Sequence, residues 1–140
     1  MLFRSKEDFI LNSLKSKFSN LKFNYKKDNI FKLSKKFRLV IESLNSTSFL
    51  ELLNLNIPVI LIYNKTFSSI RKSALKEFRM LEKVNIIHSS PLKASNFVNN
   101  NFSKIEDWWN NKNLQKKRII FCEKFARKPN NFLKELNNIF

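Results

Sequence analysis

Residues 37–63 read FRLVIESLNSTSFLELLNLNIPVILIY, and the remainder of the chain is best understood outward from this stretch. The run Phe37-Arg38-Leu39-Val40-Ile41 is apolar and β-branched, and Asn45-Ser46-Thr47-Ser48 interrupts it with side chains that favour turns and helix N-caps. A strand is therefore expected to end near Glu42 or Ser43. Ser48-Phe49-Leu50-Glu51 has capping-box spacing, in which the Ser48 hydroxyl would bond the third helical amide and the Glu51 carboxylate would reach back to the cap. The helix must stop by Ile57, because Pro58 disfavours helical geometry in the residue before it. Val59-Ile60-Leu61-Ile62-Tyr63 is then a second apolar run without alternation, as expected of a strand buried on both faces of a parallel sheet. Strand, helix and strand of these lengths form a right-handed βαβ unit.

In such a unit the helix begins at the carboxyl edge of the sheet, where open α/β folds bind ligands. Free main-chain amides and the helix dipole attract phosphate there. Asn45 would shape the turn, and Ser46 and Thr47 would add hydroxyl donors. Taken alone, the same residues read first as a turn and cap, with Glu51 engaged in the capping box. Arg71 lies just past the loop after the second strand, on the same sheet edge, and a guanidinium can make paired contacts with a diphosphate. Lys65 and Lys72 are nearby reserves, and each of these cations also reads as solvated surface charge.

The flanking segments read coarsely. Residues 6–16 suit an amphipathic helix, 21–25 a short strand and 29–35 a helix leading into the Phe37 strand. Ile70, Ala74, Leu75, Phe78 and Leu81 have helical spacing that ends near Asn85, the residue best suited after glycine to a left-handed C-cap. Ile86-Ile87-His88 is a third short strand, and Ser89-Ser90-Pro91 opens a helix with a serine cap and proline in its first turn. Leu92, Ala94, Phe97 and Val98 are its expected buried side. Residues 105–110, 114–127 and 131–139 read as further helices. Trp108 and Trp109 are adjacent, so both cannot face one core from a helix; either one ring is left for another domain or both lie in amphipathic crevices of this one.

With 140 residues, 43% of them hydrophobic, the chain suffices for one domain with a real core. Lys, Asn, Phe and Ile are abundant and Gly is absent, which suggests an AT-biased coding sequence and discounts the net charge of +16 as a functional signal. The charge is nevertheless uneven: residues 1–38 hold 11 Lys or Arg against 3 acids. A basic face attracts nucleic acid, anionic lipid or a phosphorylated donor, but zinc-finger spacing, RNP motifs and basic-region heptads are all missing. The longest apolar run, at 57–63, is far below the roughly 20 residues that span a bilayer. Charges at Arg4, Lys6, Glu7 and Asp8 interrupt any early signal-peptide region. Cys122 is the single cysteine, so an internal disulfide or cysteine metal cluster is impossible, and a reducing cytoplasm is the natural setting. It reads as a buried thiol, and His88, the single histidine, as a structural residue at a strand end.

Glu42 to Pro58, with its Asn45-Ser46-Thr47, Phe49-Leu50-Glu51 and Asn56-Ile57-Pro58 blocks, resembles the donor-site half of a family of bacterial transferases of surface-polysaccharide assembly. Arg71, Ala74, Ile86-Ile87-His88, Ser90-Pro91, Trp108-Trp109, Arg118, Phe121 and Phe125-Ala126 stand in the order of its C-terminal landmarks, so the likeness covers about residues 30–140. The resemblance implies a GT-B glycosyltransferase architecture of two Rossmann-like domains facing a cleft. Two such domains need roughly twice the 100–200 residues typical of one, so the acceptor-binding half is absent here. Where the family uses glycine to end a helix, this chain has Val84-Asn85-Ile86.

The expectation is thus an α/β fold: residues 1–140 form a single Rossmann-like domain with a short parallel sheet flanked by helices and a helical C-terminal region. Within it, 1–29 is a poorly matched basic N-terminal segment and 105–140 holds the C-terminal helices. The function implied by the resemblance is that of a donor-binding domain of a glycosyltransferase-like enzyme for surface carbohydrate. Asn45, Ser46, Thr47, Glu51 and Arg71 would hold a nucleotide-linked donor, with no metal and no cofactor. No residue is assigned as catalytic. The domain is not expected to turn over substrate alone, being a subunit dependent on a missing N-terminal GT-B domain in another chain, a fragment, or a decayed copy. Its place would be the cytoplasm, including the inner face of the membrane. Two alternatives stand beside it: a basic α/β module that uses residues 1–38 to hold nucleic acid or an anionic surface, and a non-catalytic interaction protein on a dead enzyme fold.

Overall fold

The computed structural model describes residues 36–63 and 70–126, with positions 13, 16–20, 32 and 34 besides. The expected helix at 6–16, strand at 21–25, helix at 29–35, Lys65 and the helix at 131–139 lie wholly or mostly outside the described residues.

Three short parallel strands, β1 (Val40–Glu42), β2 (Val59–Ile62) and β3 (Ile87–His88), form a sheet in the order β1-β2-β3. Val40 pairs with Val59 and Glu42 with Leu61, while Leu61 and Ile62 pair with Ile87 and His88. Helix α1 (Thr47–Asn54) joins β1 to β2, and a 3-10 turn (Lys72–Ala74) runs into α2 (Leu75–Glu82), which leads to β3. Beyond β3 come α3 (Pro91–Asn101), a second 3-10 turn (Phe102–Lys104), α4 (Ile105–Trp109) and α5 (Lys112–Phe125). Sequential strand order with crossovers of one hand places α1 and α2 on the same side of the sheet. Helix α5 packs against both, whereas α3 packs against β2 and β3. The α/β expectation of a short parallel sheet flanked by helices is therefore correct.

β2 has the continuous apolar run required of a strand covered on both faces. Val59, Leu61 and Tyr63 join Phe49, Leu52, Leu53, Phe78, Leu81 and Phe121 in the main core. Ile60 is also fully buried but lies outside that cluster, as do Ala94 of α3 and Ile105 of α4. Alternation along the strand assigns Ile60 to the opposite face. β1, at the sheet edge, is covered only on one side, since Ile41 is 52% exposed while Val40 packs on the core.

Two local expectations need correction. The first strand starts at Val40 and not at Phe37: the Phe37 amide turns back to the Ser34 carbonyl (3.1 Å), and the first rung is Val40 N–H to the Pro58 carbonyl (2.9 Å). Leu92 is 69% exposed and belongs to no buried face. At 100° per residue it stands about 200° from Ala94, while Phe97 and Val98 fall within about 60° of it, so α3 turns Ala94 inward and Leu92 to solvent.

Both helix-to-strand connections close with asparagine in the left-handed region. Asn56 has φ 57° and Asn85 φ 61°. After α1, Asn56 N–H bonds Leu53 O (3.1 Å) and Ile57 N–H bonds Leu52 O (3.0 Å). After α2, Asn85 N–H bonds Glu82 O (3.0 Å) and Ile86 N–H bonds Leu81 O (3.1 Å). These are paired Schellman closures, and buried Ile57 and Ile86 supply the apolar contact that follows such turns. The glycine-free chain thus uses its next-best residue twice, at Asn85 as the spacing indicates and again at Asn56.

Candidate functional site at the carboxyl edge of the sheet

β1 delivers the chain to the carboxyl edge at Glu42, and residues 43–46 turn it into α1. Ser46 is the N-cap residue, extended at φ −120° and ψ 172°, and Thr47 is the first helical residue. The capping box expected from Ser48 and Glu51 does not form: the helix starts two residues earlier, Ser48 lies inside its first turn, and no side chain caps the helix. The cause is Glu42, six residues upstream. Ser48 Oγ donates to Glu42 Oε1 (3.1 Å), and Ser46 Oγ lies 2.7 Å from Ser48 Oγ. A hydroxyl has one proton, so with that of Ser48 given to Glu42, Ser46 must donate to Ser48. Both hydroxyls are drawn away from the helix amides.

The first-turn amides of α1 therefore have neither an intrahelical acceptor nor a side-chain cap. The other two long helices that begin after a turn differ. Ser90 Oγ accepts from Lys93 N–H (3.3 Å) at the start of α3, and Asn111 Oδ1 accepts from the amides of Asn113 (3.0 Å) and Leu114 (3.3 Å) at the start of α5.

Beside this helix start is a cavity of about 370 Å³. Asn45, Arg71 and Ser73 supply its polar lining, and Leu50, Ile70, Phe78, Phe121 and Phe125 are among its apolar walls. The three phenylalanine rings form one cluster, with centroids 5.2 Å apart for Phe78 and Phe121 and 4.8 Å for Phe121 and Phe125. Asn45 and Arg71, separated by 26 positions, thus line a common hollow, and both are exposed. Ser46, Thr47 and Glu51 are not in its lining. Thr47 is exposed at the helix tip, Ser46 is half-buried, and Glu51 is exposed one turn further on. Lys72 faces a different groove, between α2 and α5. Sequence reasoning gave Ser48 the helix cap and not the bond to Glu42, and it did not identify Glu42, Ser73 or the phenylalanine wall as parts of a site; Phe78 in its helical stripe and Phe121 with Phe125, one turn apart, carried the visible signals.

His88 and Cys122 stand outside this cavity. His88 is buried beside Phe97, with ring centroids 5.3 Å apart, and its Nε2 is 3.0 Å from Asn85 O. A carbonyl only accepts, so Nε2 carries the proton. Burial is the main influence on the ring and holds its pKa below the ordinary histidine value; the Asn85 carbonyl opposes that shift. His88 is consequently a neutral ring that fastens the β3 turn. Burial likewise pushes the Cys122 thiol up, against the opposing influence of Arg118. Among the described residues no three His, Cys, Asp or Glu side chains gather as a metal site.

The opposite edge of the sheet is occupied by side chains that bind the two asparagine turns. Trp109 Nε1 donates to both Asn56 O (3.2 Å) and Asn56 Oδ1 (3.0 Å), while Trp108 Nε1 donates to Val84 O (2.9 Å). Each tryptophan thus fastens one turn, and both rings are used within this domain. Arg118 donates to Leu53 O (2.6 Å) and to Gln115 Oε1 (2.9 Å), and Gln115 Nε2 donates to Trp109 O (2.7 Å). The Arg118 guanidinium also sits at the negative end of the α1 dipole.

No helix among the described residues is long and apolar enough to cross a membrane. No curated protein and no solved structure matches the chain. The family description LIC12162 family transferase does match it, over residues 3–140. The α/β sheet with an open carboxyl edge is thus carried by a chain that belongs to the LIC12162 family of transferases.

Proposed function

We propose that the carboxyl edge binds the phosphate-bearing part of an activated donor and that the transfer is of the glycosyltransferase type, serving the assembly of surface carbohydrate. The observation that carries this reading is the uncapped start of α1 beside a cavity whose polar lining includes Asn45 and Arg71. Unpaired amides and the positive end of the helix dipole favour an anion. Arg71 would offset charge that develops on a phosphate leaving group, which lets a transferase work without a metal. Asn45 would orient the donor at the cavity mouth, and exposed Thr47 would donate its hydroxyl. Ser46 would join by breaking its bond to Ser48, at a cost of about 0.5–1.5 kcal/mol that the phosphate contact offsets. Glu51, one turn along, would receive donor hydroxyls.

We take residues 1–140 as one domain, a reading supported by a family match that runs over residues 3–140. In this reading it works in the cytoplasm with an acceptor-binding domain supplied by another chain. The test is a thermal-shift titration with a panel of nucleoside diphosphates. A single-site ligand at 100 times its Kd stabilises by about 2.7 kcal/mol. That shift should disappear in Ser46→Ala with Thr47→Ala and shrink in Arg71→Gln. A protein that instead responds to DNA with a steep salt slope, unaffected by these changes, is a polyanion binder.

A further inference from the structure

A second concave surface lies away from the carboxyl-edge cavity, between α2 and α5. It is a groove of about 710 Å³. Leu75, Met80 and Ile120 provide its apolar lining. Lys72, Lys76, Arg79 and Lys83 line it from one side and Lys117 from α5. The first four follow one another at intervals of four, three and four residues; Lys76 and Arg79 lie in α2 with Lys83 as its C-cap residue, the spacing of one helix face, and Lys72 stands in the 3-10 turn that leads into it. Among the described residues Glu77 is the single acid in the lining, and its Oε1 is held by Lys124 Nζ at 2.6 Å. Among the described residues, five cations therefore face this groove against one carboxylate that already has a partner.

We propose that this groove docks an acidic amphipathic helix of a protein partner. The cationic stripe from Lys72 to Lys83 extends over about 16 Å at helical rise, too long for a single phosphate and equal to about three turns of a helix. An apolar lining flanked by charge suits a helix that presents apolar anchors at i, i+3/i+4 and i+7 with acids beside them. Met80 adds an adaptable surface for those anchors. Single-stranded nucleic acid would require aromatic stacking platforms, and none of the described residues lining the groove is aromatic. The groove is separate from Asn45 and Arg71, so this inference does not depend on the donor reading.

The experiment is selection from a random peptide display library with the full chain as bait, followed by anisotropy measurements on the enriched peptide. Enrichment of peptides that combine several acids with helically spaced apolar residues is expected. The enriched peptide should lose at least tenfold in affinity to Lys76→Glu with Lys117→Glu, and as much to Ile120→Asp. Lys76→Arg with Lys117→Arg should retain it, which guards against a fold defect in the reversed variant. The proposal is overturned by enrichment without acids, by no enrichment, or by affinity that survives both the charge reversal and Ile120→Asp. It is also overturned if oligo(dT) or phosphatidylserine vesicles bind these lysines more tightly than the selected peptide.

Discussion

The two edges of the sheet contrast in how their polar groups are used. At the amino edge both asparagine turns are closed by their own main chain and then bound again by Trp108, Trp109 and Arg118. At the carboxyl edge the start of α1 is left uncapped, and Asn45 and Arg71 stand exposed around a cavity. The first edge has its hydrogen bonds satisfied within the domain; the second has donors in reserve. Substitutions at the amino edge should thus cost stability, and those at the carboxyl edge should cost affinity while leaving stability nearly intact.

The largest effect should come from Trp109→Ala, which removes a buried ring and both of its bonds to Asn56; urea unfolding should register a loss of about 3–5 kcal/mol. Arg118→Met should cost about 1.5–3 kcal/mol by the same measurement, since a charged donor to Leu53 O is lost. The asparagine turns sharpen the contrast further. Asn85→Gly should stay within about 0.5 kcal/mol of the parent, because glycine accepts positive φ without strain. Asn56→Gly should cost about 0.5–1.5 kcal/mol, because Trp109 loses the Oδ1 acceptor. Equal outcomes for the two turns would show that the tryptophan bond adds nothing to the first.

A smaller effect is expected from pH. The folded protein holds His88 below its ordinary pKa of 6.5, so the unfolded chain binds a proton more readily over the interval between the two values. Stability should therefore be full above pH 6.5 and fall as the pH descends from there towards the lowered value. His88 is the single histidine, so His88→Gln should remove this slope from thermal melts. Glu77 acts in a lower window. The Lys124 hydrogen bond holds its carboxyl below the ordinary value of 4.5, so its contribution is present above that pH and lost as the pH falls through the folded value. At the carboxyl edge, Thr47→Ala and Arg71→Gln should each change stability by less than about 0.5 kcal/mol, while Ser46→Ala should cost no more than its bond to Ser48, about 0.5–1.5 kcal/mol.

The sequence made the βαβ frame legible because its evidence is local: an unalternating apolar run in Val59-Ile60-Leu61-Ile62, a proline immediately before it, and a hydroxyl-rich turn. Asn85 was legible for the same reason, as a residue suited to positive φ after a helical pattern. The cap was not, because Ser46 and Ser48 are both good N-caps and the choice depends on the Glu42 carboxylate across the turn. The tryptophan pair was ambiguous for a similar reason. Adjacent positions on a helix suggest rings facing apart, yet the two centroids lie 5.5 Å apart, and their acceptors, 24 and 53 residues away, leave no local trace. Of the candidate site, Asn45 and Arg71 could be placed on one edge by topology, whereas the phenylalanine wall required the packing of α5 over α1 and α2.

The contrast between edges is tested most directly by amide-detected NMR of the chain titrated with a nucleoside diphosphate. The account predicts the largest shifts at the amides of Thr47, Ser48 and Phe49 and at the Arg71 side chain, with the indole N–H signals of Trp108 and Trp109 unmoved. Shifts centred on the two indoles, or no response at the start of α1 at saturating ligand, would contradict it.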